Sequence, residues 1–112
     1  MTDAELMEDI LDEARFDWID FGNAMGVVAV VEGDDTDAAL RPRTSALVVQ
    51  LVCEGRLVPG EIGTKPGEFV PWQLDREAAA RVLEEYFDEV VAGRKPVEPW
   101  QPCLFAVAET EG

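Results

Sequence analysis

Apolar residues recur at Leu6, Met7, Ile10, Leu11 and Ala14, with Glu5, Glu8, Asp9, Asp12 and Glu13 filling the positions between them. This is the 3.6-residue period of an amphipathic helix over residues 3–15, with Thr2 or Asp3 placed to cap it. Asp17 is a plausible cap for a second helix from Trp18 onward, whose density of apolar residues through Val31 predicts that most of it is buried. Gly22, Gly26 and the β-branched run Val27 to Val31 favour a competing strand over residues 27–31. Residues 33–37 read as a polar loop. Pro42 suits the first turn of a third helix with the stripe Leu47, Val48, Leu51 and Val52, and Gly55 suits its left-handed end. Residues 57–62, 63–67 and 68–72 read as strand, turn and strand of a hairpin. Pro59 and Pro71 predict that both strands are short or at an edge, with Leu57, Ile62, Phe69 and Trp72 packing inward. Asp75 caps a fourth helix with the stripe Ala79, Val82, Leu83, Tyr86, Phe87, Val90 and Val91, ended by Gly93. A proline-rich connector around Trp100 then leads to a strand from Cys103 to Ala108 and an acidic tail.

Three helices, a hairpin, a helix and a last strand make an α+β domain in the order of a winged-helix variant, with the hairpin as wing and the third helix in the recognition position. Pairing of the last strand with the hairpin would give three strands, which survive better than an isolated ribbon. The 112 residues, 47% of them apolar, suit a single domain over 1–112 with a real hydrophobic core. No internal repeat or low-complexity tract interrupts it.

Charge changes the picture most. Twenty-four acidic against nine basic residues give a net charge of −15, which repels nucleic acid and anionic membranes and favours a basic protein partner, unless it serves solubility alone. Acids crowd residues 1–20 and 32–37, whereas residues 38–67 carry Arg41, Arg43, Arg56 and Lys65 and are locally neutral to slightly basic. The absence of His removes Ser-His-Asp and Cys-His relays and His-ligated metals, and the two cysteines cannot make a zinc site. No cofactor is implied, and the expectation is that the chain is not an enzyme. Cys53 and Cys103 lie among apolar neighbours and read as two buried, reduced thiols. With neither signal peptide nor anchor evident, the expected location is the cytoplasm. Arg in preference to Lys, with abundant Ala, Val and Gly, is the usage of a high-GC bacterial genome.

The acidic opening helix, Asp17-Trp18, the segment from Leu51 to Ile62 and Phe69-Val70-Pro71-Trp72 together resemble a set of small, acidic, functionally uncharacterised proteins of high-GC bacteria. The resemblance covers most of the chain. It implies a winged-helix-like fold, and it carries over no activity and no functional residue.

Several constellations could carry function. For a DNA-binding regulator, Arg41, Arg43, Arg56 and Lys65 would clamp phosphates and Gln50 would reach base edges, a sparse set against the overall charge. Residues 32–37 are acidic enough to attract a hard cation, but counting from Asp34 puts Ala39 and Ser45 where an EF-hand loop needs Gly and Glu. Glu84, Glu85, Asp88 and Glu89 lie on a solvated helix face, where no acid–base pair is set across a cleft. Trp72 and Trp100, each next to Pro, are either lids on a small core or interface anchors. The reading that follows is a protein-interaction module, of immunity or antitoxin type in one concrete form. The acidic first helix and the 32–37 loop, with Asp34, Asp35 and Asp37, would steer a basic partner, and Trp72 and Trp100 would supply affinity.

Overall fold

The computed structural model describes residues 2–33 and 36–108. It has an α+β architecture in the order α1 (Asp3–Phe16), α2 (Phe21–Glu32), α3 (Asp37–Cys53), β1 (Leu57–Ile62), β2 (Phe69–Pro71), α4 (Arg76–Val91) and β3 (Leu104–Val107). The three strands form one antiparallel sheet in the order β2-β1-β3. The last strand therefore does join the hairpin, and it makes β1 the central strand. All four helices, β1 and the Cys103–Phe105 segment share one buried core, in which the Phe21 and Phe87 rings lie 4.4 Å apart between α2 and α4.

α1 begins with a full capping box: the Thr2 hydroxyl accepts from the Glu5 N–H, and the Glu5 carboxylate accepts from the Thr2 N–H. The second helix starts later than its pattern predicts. Asp17 ends α1 in extended conformation, Trp18 and Ile19 form a link, and Asp20 is the true N-cap. Two local interactions shift the boundary. Ile19 exchanges backbone hydrogen bonds of 3.1 and 2.7 Å with Phe105, which holds the link extended, and Asp20 and Asn23 form a reciprocal cap. No strand forms over residues 27–31: the helix continues to Glu32, burying Phe21, Ala24, Met25 and Val28, and ends at Gly33 with φ +75°.

The third helix starts earlier than Pro42 suggests. Thr36 is the N-cap and Asp37 lies in the first turn, so Pro42 falls inside the helix. Gly55, with φ +76°, closes it in a Schellman motif: its N–H reaches the Val52 carbonyl and the Arg56 N–H reaches that of Leu51.

Pro59, expected near an edge, lies in the central strand. It is tolerated because it faces Trp72 just past the end of β2, where only the Trp72 N–H to Pro59 carbonyl bond, 3.0 Å, is made. Ile62, expected to pack inward, is 48% exposed, because β1 runs beyond the helices at that end. Val82 and Val91 of the fourth-helix stripe are also exposed, leaving Ala79, Ala80, Leu83, Phe87 and Val90 as its buried face.

Gly26 stands out in α2, since a Cβ built there meets nothing within 4 Å. Glycine in a helix interior is less favourable than alanine, so Gly26→Ala is expected to raise stability by about 0.5–1 kcal/mol, read as a higher urea midpoint with an unchanged slope.

Candidate interaction surface

The arginines expected to clamp a phosphate backbone are turned onto the protein's own carboxylates. Arg41 pairs with Asp37 at 3.2 Å and donates to the Val90 carbonyl at 3.0 Å, which ties α3 to the end of α4. Arg43 joins three helices by reaching Asp3 of α1 at 2.7 Å and Glu32 of α2 at 3.2 Å. These contacts hold the Asp3 carboxyl below the usual carboxylate range and push Arg43 further up. Arg56 pairs with Glu8, and Gln50 donates to Glu54 at 3.0 Å, so neither is presented for contact with DNA. Lys65 sits in the hairpin turn, its backbone N–H bonded to Glu68.

The two tryptophans have different settings. Trp72 is half-buried against the core and its indole N–H donates to Glu61 at 2.9 Å, so it closes the edge of the domain. Trp100 is 61% exposed and adopts φ +66°, with its backbone N–H donating to Asp20 at 2.9 Å. Asp37 belongs to α3 and is paired with Arg41, whereas Asp34 and Asp35 lie outside the described residues.

A surface that the sequence pattern did not single out lies between α1 and α2. It is a groove of ≈ 790 Å³. The α1 wall carries Asp9, Asp12 and Glu13, with Phe16 one turn further on, and Asp17 follows. The α2 wall is formed by Gly22, Asn23, Gly26, Val27, Val30 and Val31, and it is open above Gly26. Phe16 is 91% and Val30 85% exposed, the two most exposed large apolar side chains among the described residues. Asp12 pairs with Arg15, while Asp9, Glu13 and Asp17 make no ion pair among the described residues. Trp18 closes the end of the groove, its ring tilted 46° against that of Phe69 at 5.3 Å between ring centres. The groove had a sequence signal after all. Phe16 lies off the buried stripe of the first helix, and five successive apolar residues from Val27 to Val31 exceed what one buried helix face can hold.

Cys103 is fully buried, but Cys53, also expected to be buried, is exposed beside the stripe of α3 that packs inward. Both are free thiols. Burial pushes the Cys103 thiol up to about 12, helped by the nearby Glu61 charge. A thiol reagent near pH 8 is therefore expected to label Cys53 alone in the folded protein and both cysteines in denaturant. The raised value also sets a sign for stability. The unfolded thiol ionises from about pH 9 while the folded one stays protonated, so this contribution is complete below pH 9 and lost as pH climbs toward 12.

Among the described residues, the carboxyls whose titration is displaced, Asp3, Glu5 and Glu89, are held low, by Arg43, Thr2 and Arg94 respectively. General acids need the opposite shift. No three His, Cys, Asp or Glu side chains among the described residues converge to hold a metal ion, and no described helix is long and apolar enough to cross a membrane.

The chain matches no family model, no curated protein and no solved structure.

Proposed function

We propose that this protein is a non-enzymatic interaction module of the bacterial cytoplasm that engages a basic partner protein, with an immunity or antitoxin role as one concrete form. The observation that carries this reading is the α1–α2 groove, where unpaired carboxylates border Phe16 and Val30 held out in solvent. Carboxylates at the rim accelerate and orient a cationic partner, and desolvated apolar contacts supply most of the affinity. Trp100 offers a further exposed aromatic near the start of α2.

The order of helices and hairpin also fits a winged-helix DNA-binding regulator. Against that second reading, Arg41, Arg43 and Arg56 are engaged by Asp37, by Asp3 and Glu32, and by Glu8, so a duplex would have to displace those carboxylates.

Capture of a partner from the host, followed by affinity measurement of the purified pair at two salt concentrations, tests the proposal. The expected result is a basic protein whose binding weakens by about tenfold between roughly 50 and 300 mM salt. Affinity indifferent to salt would overturn the electrostatic reading. A gel shift with genomic DNA below about micromolar, lost as salt rises, would instead support the DNA-binding regulator.

A further inference from the structure

We infer that the α1–α2 groove accepts one cationic amphipathic helix of a partner protein; this rests on the acidic-interaction reading above and specifies its contact face. The two walls demand different things of an occupant. Along α1, Asp9, Asp12 and Glu13 stand at helical spacing, so bases three and four residues apart on a facing helix can meet them in register. Phe16 stands at the α1–α2 link, next to the Trp18 end, and Val30 toward the opposite end of the groove, so an occupant needs an apolar residue at each end of a stripe beside those bases.

The α2 wall explains how closely a helix can lie. Gly22 and Gly26 fall one turn apart on the groove side, and nothing inside the protein fills the space above Gly26. The open space above Gly26 lets a second helix come close at that turn, at the cost in helix propensity already noted, whereas the Gly22 position is already covered by Asp20 and Val97. Along α1 the groove runs from Asp9 to Phe16, about 12 Å at roughly 1.5 Å per residue, which two to three turns of an occupant would cover.

Other occupants fit less well. An extended peptide is held mainly by backbone bonds to an open strand edge, and both walls here are helices whose backbone groups are spent internally. A second copy of this chain would bring another strongly acidic surface, and its Arg41, Arg43 and Arg56 are already paired. A partner helix with Lys or Arg on one stripe and Leu or Ala on the next satisfies both walls.

The test is an amide chemical-shift titration of the whole protein with a synthetic helical peptide of about 15 residues bearing that Lys and Leu pattern. The expected perturbations centre on Phe16, Gly22, Gly26 and Val30. Gly26→Leu, which fills the groove from an open position, is expected to weaken binding by at least about tenfold while the unfolding midpoint holds or rises. Glu85→Gln, which removes a charge on α4 outside the groove, is expected to alter affinity less than about twofold. Salt-sensitive binding whose shifts spread over the α4 carboxylates, or that survives Gly26→Leu, overturns the groove assignment and leaves the acidic-interaction reading standing. If the peptide does not bind at low salt the groove assignment falls, and if a captured host partner is also indifferent to salt both ideas fall together.

Discussion

Gly60→Ala is expected to destabilise the protein by about 3 kcal/mol, the upper end of the usual cost of overfilling a packed site. A Cβ at Gly60 would stand 2.5 Å from the Val70 carbonyl oxygen and 2.6 Å from the Phe69 ring. The ring alone could swing away. The carbonyl belongs to β2, and moving it opens the β1–β2 pairing in which Gly60 faces Pro71. Reduced freedom of the unfolded chain would return less than about 1 kcal/mol, so the clash decides the sign. The effect should travel, because Phe69 is the ring against which Trp18 lies tilted at the end of the groove. Urea unfolding measures the loss, and a change in Trp18 fluorescence should accompany it. A variant within about 0.5 kcal/mol of the parent would show that the hairpin adapts freely, against the packing described.

Asp20→Asn is expected to cost about 2 kcal/mol although asparagine is itself a good N-cap. The reason is a count of acceptors. One carboxylate oxygen of Asp20 accepts from the Asn23 N–H at 2.8 Å, and the other accepts from the Trp100 N–H at 2.9 Å. An amide offers a single acceptor, so whichever way it turns, its NH₂ faces a backbone N–H and one donor is left without a partner. Asp20→Ala loses the cap as well and should cost about 3 kcal/mol. Faster hydrogen exchange of the Trp100 amide, beyond that of the α2 amides, would locate the defect. Equal stability of Asp20→Asn and the parent would remove the tether from the argument.

Elements with a strong local pattern could be read from the chain. The 3.6-residue stripes of α1 and α4, the caps at Thr2 and Asp75 and the left-handed stops at Gly55 and Gly93 are nearest-neighbour effects, and the structure has them at those residues. Long-range pairing was less legible. Nothing near Trp18 and Ile19 announces that Phe105 will hold them extended, so the start of α2 was placed three residues early. Pro59 argues against a central strand until the end of β2 is known, because only then does its missing N–H point at no partner. Of the candidate site, the acidic face of the first helix was legible, but the α2 wall beside it was not. The loop at Asp34, Asp35 and Asp37 drew attention by local charge density, whereas the groove exists only through the packing of α1 beside α2. The pairing of Arg41, Arg43 and Arg56 with acids from several elements is likewise a property of the assembled helices.

The bridge between Ile19 and Phe105, with the Asp20 to Trp100 contact spanning 80 positions, joins the link between α1 and α2 to a segment made much later. During synthesis the ribosome releases α1, α2 and α3 long before that segment, so contacts such as those of Arg43 can form early, while the Ile19 backbone stays without its Phe105 partner until residues 100–107 emerge. The turn between the first two helices is therefore fastened in a late step, after the helices themselves have been made.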